Sequence, residues 1–350
     1  MIVVDSHCDT PSQIYRLRDI GVEDAHAQVD FPKLRRGRVD AVCFAAYVPA
    51  SMEGVAATGY AEQLLNCSAA AVQANSSIAA LARSAEEIAA NKAAGKVSVL
   101  LAIENGSAIG DNLSTLEHFH ESGVVYMTLT HSSDNLIADS CSGKGRWGGL
   151  SPFGREVVAR MNSLGMLIDL SHSSDRTFFN VLECSSKPVV ATHSCCRALA
   201  NHRRNMTDDM IKALAANGGV IQINFYPSFL DEDFSAAFSR HYDEVESIED
   251  EFIADPGNPE KRARWYDCLD RVKALARPSY KRIVDHIDHA VSLTGPEHVG
   301  LGSDFDGIYV TPEGLEDCSR FPLLLEELRV RGYSETDIEK IAGGNFLRIL

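Results

Sequence analysis

The sequence predicts a single-domain α/β protein, a (β/α)8 TIM barrel covering residues 1–350. Three observations carry that expectation. Eight short, β-branched-rich apolar runs show little alternation, the pattern of parallel strands covered on both faces. Helix-like stretches alternate with these runs, implying right-handed βαβ units. No GxGxxG turn follows the first run, so a closed barrel fits better than an open doubly wound sheet.

The runs lie at 2–4, 39–48, 97–103, 124–130, 166–170, 188–192, 219–225 and 298–302. Helix-like stretches fill 56–94 (two helices or one long one), 113–122, 152–164, 175–184, 208–217 and 262–293. Some boundaries carry specific chemistry. Ser151-Pro152 supplies an N-cap oxygen and a first-turn proline where the 152–164 pattern begins. Gly165 and Asn217-Gly218 tolerate the positive φ that ends a helix before the next strand.

Composition narrows the function classes. Residues are 45% hydrophobic and 23% charged, as in a folded globular chain. No apolar run approaches the ~18 residues of a membrane span. The formal charge of −16 argues against a nucleic-acid surface, which needs a basic stripe. Eleven acids against one base fall within 231–260, so 227–278 reads as an acidic, helical insertion between the seventh and eighth strands. Nine cysteines with no CxxC pair, and no secretory or lipidation signal at Met1–His7, lead us to expect a cytoplasmic protein without a membrane anchor.

What ends the runs is more telling. His7-Cys8-Asp9 follows the first, Glu104 the third, His131 the fourth, Ser171-His172 the fifth, His193 the sixth and Asp304 the eighth. In a barrel, these C-terminal strand ends form the mouth where active sites lie. Alone, each residue is as readily a turn, cap or solvent-facing group; His118, His120, His286 and His289, on outer helices, are read as structural. Together, four histidines and three acids at strand ends predict a metal site. In His7-x-Asp9 the strand period of two aims both side chains at one face. Imidazole and carboxylate without thiolate favour zinc, with manganese, cobalt or iron also suited. Five ligands (His7, Asp9, Glu104, His172, His193) exceed what one tetrahedral catalytic ion needs. They suit two ions bridged by one carboxylate, with Glu104, central in strand order, as the bridge and a hydroxide between the ions as nucleophile.

At this point the chain resembles a known family. His7-x-Asp9, Glu104-Asn105-Gly106, Leu129-Thr130-His131, Ser151-Pro152-Phe153-Gly154, Asp169-Leu170-Ser171-His172, Thr192-His193-Ser194, Arg203-Arg204-Asn205, Asn224-Phe225-Tyr226, Asp304-Phe305-Asp306-Gly307 and Gly343-Gly344-Asn345 are similar, in register, to the renal (membrane) dipeptidase family, M19, of amidohydrolase-like barrels. The resemblance implies a binuclear zinc dipeptidase hydrolysing L-L and L-D dipeptides, with Mn2+ or Co2+ as substitutes. His7 and Asp9 would hold one ion, His172 and His193 the other, and Glu104 would bridge both. His131 would contact the substrate carbonyl, Arg204 (chosen over Arg203) would grip the C-terminal carboxylate, and Asp304 would exchange protons. The family habit implies a homodimer. The chain departs from the pattern at Cys8, where Asn is common, and at Phe229, where the family carries tyrosine. The alternatives are a related amidohydrolase acting on another amide, lactam or ester, or a catalytically inactive binding barrel.

Overall fold

A computed structural model describes residues 1–350. Nine strands, all parallel, form one sheet: β1 Val4–Cys8, β2 Ala41–Tyr47, β3 Ala79–Leu81, β4 Val97–Glu104, β5 Val124–Thr128, β6 Leu167–Asp169, β7 Val190–Ser194, β8 Val220–Ile223 and β9 Val299–Leu301. Eight follow the order β1-β2-β4-β5-β6-β7-β8-β9, a nearly closed barrel with helices around it. The seam between β9 and β1 is bridged just past the strand ends, where Asp304 N donates to His7 O (3.0 Å) and Asp9 N to Phe305 O (2.9 Å). No helix is long and apolar enough to cross a membrane.

Three sequence expectations need correction. The stretch 56–94 does hold two helices, one of the two expectations, but an unexpected strand separates them. Helices Gly54–Ala74 and Ala85–Ala93 flank β3, which pairs with β4 below the point where β5 begins. The stretch 262–293 breaks into helices Pro259–Lys273 and Lys281–Thr294, because Pro278 lies between them and cannot continue a helix. β1 starts where its apolar run ends and carries Asp5, Ser6 and His7 inside the strand, fully buried.

Strand parity builds the lumen. Leu100, Ala102, Tyr126, Leu167 and Val190 belong to one buried apolar cluster with Phe346. Two residues further along the same strands, on the same face, come Glu104, Thr128, Asp169 and Thr192. The lumen is therefore apolar low down and polar at the C-terminal rim. A cluster of 68 buried residues packs the strands against the helices. Between β8 and β9, helices Pro227–Leu230, Glu232–Phe238, Tyr242–Ile253 and Pro259–Lys273 overhang the mouth, and eight of their residues form an apolar cluster with Val310, which follows β9.

Candidate metal centre

The rim gathers every histidine and acid proposed from the sequence. Glu104, the last residue of β4 and 3% exposed, divides its carboxylate between two groups. Its Oε2 lies 3.7 Å from His7 Nε2, while Oε1 lies 3.1 Å from His172 Nε2 and 3.3 Å from His193 Nε2. On the first side, Asp9 Oδ2 is 3.7 Å and Asp304 Oδ1 4.0 Å from the same His7 nitrogen. On the second side, His172 Nε2 and His193 Nε2 are 3.0 Å apart. Gly307 is required here, because a Cβ would intrude on Asp9 Oδ2 and Asp304 Oδ1. Asn105, His172, Asp304 and Asp306 all adopt positive φ, a conformation that costs non-glycine residues and is concentrated at this rim.

Hydrogen bonds decide which imidazole nitrogens carry protons. Tyr126 OH donates to Ser6 O (2.9 Å), so His7 Nδ1, 2.9 Å from that hydroxyl, must donate to it. His7 Nε2, fully buried and without a hydrogen-bond partner, faces three carboxylates. Against the effect of burial, the charges of Glu104 and Asp9 raise this histidine well above its ordinary range. The site thus draws positive charge to that nitrogen, and Nε2 is the bare one once the ring is neutral. Thr192 Oγ1 donates to Asp169 Oδ2 (2.6 Å) and so accepts from His193 Nδ1 (2.9 Å). His193 Nε2 therefore also presents a lone pair. Burial, reinforced by Arg204 and the neighbouring histidines, pushes His172 and His193 well below their ordinary range, so both are neutral. On the other side, burial and the charge of Glu104 raise Asp9 to about 6. Lone pairs converging on each other and on carboxylates need positive charge between them, and imidazole with carboxylate suits zinc-like cations. The residues fit the metal ions that the sequence implies; His7, Glu104 and His193, Glu104, His131 and His172, and His7, Asp9 and Asp304 are each close enough to share one.

Around this centre lies a cavity of about 1210 Å3, lined among others by Asp9, Glu104, His131, His172, Arg204 and Asp304. His131 stands with its ring 4.1 Å from that of His172 and 4.6 Å from that of Tyr47. Burial, then the charge of Arg204, lowers it to about 3. Of the adjacent arginines, Arg203 is exposed and Arg204 is turned in, 6% exposed. Arg204 donates to His193 O (2.8 Å) and lies 5.2 Å over the ring of Phe229, leaving Nε without a partner. Asp304 accepts from Asn224 Nδ2 (2.9 Å) on Oδ2, and burial raises it to about 7. Sequence reasoning assigned no role to Tyr126, Asp169, Thr192 or Asn224, which orient these groups from behind. Tyr126 is the one with no positional signal, since it sits inside an apolar run. His286 and His289, read as structural, bond to Leu230 O and Asp208, away from the centre.

Known proteins share this architecture. The family model of the membrane dipeptidases (peptidase family M19) matches residues 1–350. The chain is 33% identical to dipeptidase verJ of Clonostachys rogersoniana over 99% of its length and 83% of that protein. It is 34% identical to dipeptidase aclJ of Aspergillus oryzae, covering 97% of this chain and 73% of the other. Among solved structures, dipeptidase AC, a metallopeptidase of family M19, matches with a TM-score of 0.82 at 25% identity, covering 100% of this chain and 97% of that one. The chain belongs to the membrane dipeptidase family, peptidase family M19.

Proposed function

We propose that this metallo-dipeptidase hydrolyses the peptide bond of free dipeptides with two zinc ions. His7, Asp9 and Glu104 would hold one ion, and Glu104, His172 and His193 the other. The division of Glu104's two oxygens between these groups is the observation that carries the reading. When bound, such a pair supplies Lewis acidity toward a carbonyl and an ionised water, a hydroxide, as nucleophile.

The chain's own residues do the rest. Arg204 is held from behind by His193 O and by Phe229, so its guanidinium meets a C-terminal carboxylate in a fixed orientation that lysine cannot copy. Recognition of that carboxylate confines cleavage to substrates ending one residue past the scissile bond. His131 stays neutral at working pH and offers an imidazole N–H to the carbonyl oxygen as negative charge develops there, a contribution worth roughly 10²–10³ in rate at comparable sites. Asp304, raised to about 7, holds or releases a proton near neutrality. It takes the proton of the attacking water and returns it to the departing amine, while Asn224 keeps its second oxygen in place. The cavity, about 1210 Å3, is ample for a dipeptide, and both L-L and L-D dipeptides are proposed as substrates.

Replacing Asp304 with Asn tests the assignment. The variant should keep its zinc content and lose turnover of L-Ala-L-Ala and L-Ala-D-Ala by about 10²–10⁴-fold. Unchanged turnover would remove Asp304 from the chemistry. Faster hydrolysis of N-acyl amino acids or lactones than of dipeptides, by the unaltered protein, would replace the substrate reading.

A further inference from the structure

We infer that Asp169, acting through the Thr192 hydroxyl, sets which nitrogen of His193 carries the proton and is thereby a positioning residue of the metal centre. The inference rests on the metal reading above. Asp169 is the last residue of β6, 0% exposed, and touches no candidate ligand directly. Its carboxylate nevertheless receives four hydrogen bonds. Oδ1 accepts from Ser171 N (3.0 Å) and Thr192 N (2.9 Å), and Oδ2 from Thr128 Oγ1 (2.5 Å) and Thr192 Oγ1 (2.6 Å).

The proton order along this chain is forced. A carboxylate with four donors around it has no hydrogen to give, so the single Thr192 hydroxyl proton points at Oδ2. The Thr192 oxygen can then only accept, and it faces His193 Nδ1 at 2.9 Å and His7 Nδ1 at 3.4 Å. His193 must carry its hydrogen on Nδ1 and keep Nε2 bare toward Glu104 and His172. His7 likewise carries a hydrogen on Nδ1, donated to Tyr126, whose own proton goes to Ser6 O. The bare nitrogen is the one a cation needs, and ordering it in advance removes a tautomer change from binding.

Asp169→Asn reverses the logic without changing shape. The two backbone N–H groups on the Oδ1 side hold the amide oxygen there, so the amide nitrogen must occupy the Oδ2 position and donate. Thr192 then turns its hydroxyl toward His193 Nδ1, and the His193 hydrogen moves to Nε2, aimed at the cation site. We expect two results. In ¹⁵N-histidine spectra of metal-free protein, His193 is the Nδ1–H tautomer in the wild type and the Nε2–H tautomer in Asp169→Asn. Zinc affinity by chelator competition falls about 10–100-fold. A folded Asp169→Asn protein with an unchanged His193 tautomer, or zinc affinity within twofold of wild type, overturns the inference. Should that variant fail to fold, Thr192→Val and Thr192→Ser decide: Val should weaken zinc binding and Ser restore it, and Val binding like wild type overturns the inference. The spectra read metal-free protein, so a wild-type chain that takes up no zinc would count against the metal reading alone.

Discussion

At the barrel mouth, His7, Asp169, Thr192 and His193 are fully buried and tied by short hydrogen bonds with a forced direction. Across the cavity, the helices between β8 and β9 hold together by other means. There Phe234, Phe238, Val245, Ile248, Phe252, Trp265, Cys268 and Val272 form a small apolar cluster with Val310, which follows β9, and charged pairs such as Arg271–Glu244 lie on the outside. The mouth thus gains direction from polar groups that have one satisfied arrangement. The overhang gains only cohesion, because apolar contact has no preferred donor or acceptor. Geometry-sensitive chemistry belongs to the first kind of structure, and a wall that shapes a large cavity can be built from the second.

The largest expected effect comes from breaking the mouth at its centre. Glu104→Gln keeps the volume and removes the charge shared by the two imidazole groups. Bound zinc should fall below that of the wild type, and turnover should fall by at least about three orders of magnitude, the scale of several kcal/mol of metal-supplied stabilisation. Elemental analysis and dipeptide assays check both. A variant with full zinc and near-normal rate would show that Glu104 does not join the two groups.

The matching cut in the overhang is Trp265→Ala. Trp265 is 7% exposed, stacks on Phe252 and meets Tyr309 edge-on. Its loss should cost about 3–5 kcal/mol, spent locally. Hydrogen exchange across 232–273 should speed up about a hundredfold or more, with zinc content unchanged. Loss of zinc in parallel would mean that mouth and overhang open as one unit, which would abolish the contrast drawn above.

How much of this was legible in the sequence follows the same division. In a parallel barrel the strands are unbroken apolar runs, so a polar residue at a run's end stands out; His131, His172, His193, Glu104 and Asp304 were all visible for that reason. The groups behind them were not. Tyr126 reads as one more core aromatic, and only its hydroxyl contact with His7 makes it an orienting residue. Asp5, Ser6 and His7 continue β1 beyond its apolar run because Ser303 at the seam, Thr192 O and Tyr126 OH satisfy them in turn, a partnership that local hydropathy does not encode. β3 was hidden in an alanine-rich stretch, where helix propensity speaks louder than the free edge of β4. Nothing in Arg203-Arg204 says which arginine turns inward; the backbone between β7 and the next helix decides it.

His286 joins the two regions and offers a smaller, pH-dependent effect. Its Nδ1 accepts from Cys196 N just past β7, and its Nε2–H donates to Leu230 O where the overhang begins. Burial outweighs the Leu230 bond and lowers it to about 4. The folded chain therefore keeps it neutral while the unfolded chain protonates it below about pH 6.5. Its contribution to stability is present above pH 6.5 and is lost as the pH falls toward 4, on the order of 3 kcal/mol in all. Denaturant midpoints between pH 4 and 7 should therefore fall less steeply in His286→Gln, whose amide can both donate and accept. Parallel curves for the two proteins would show that the joint carries no protonation cost.

The smallest effect is expected where the overhang is most charged. Arg271 and Glu244 pair at 2.8 Å between helices Tyr242–Ile253 and Pro259–Lys273, yet their side chains are 63% and 57% exposed. In water at that exposure, the Coulomb gain is offset by the order imposed on two long side chains, and salt screens what is left. Arg271→Met keeps the aliphatic stem and deletes the charge, so the melting temperature should move by no more than about one degree at 0.15 M salt. KM for L-Ala-L-Ala should not change, because Arg271 does not line the cavity. A clear loss of stability that disappears at high salt would show the acidic helix to be held down by charge as well as by its apolar face. The overhang would then share with the mouth a dependence on where its charges point.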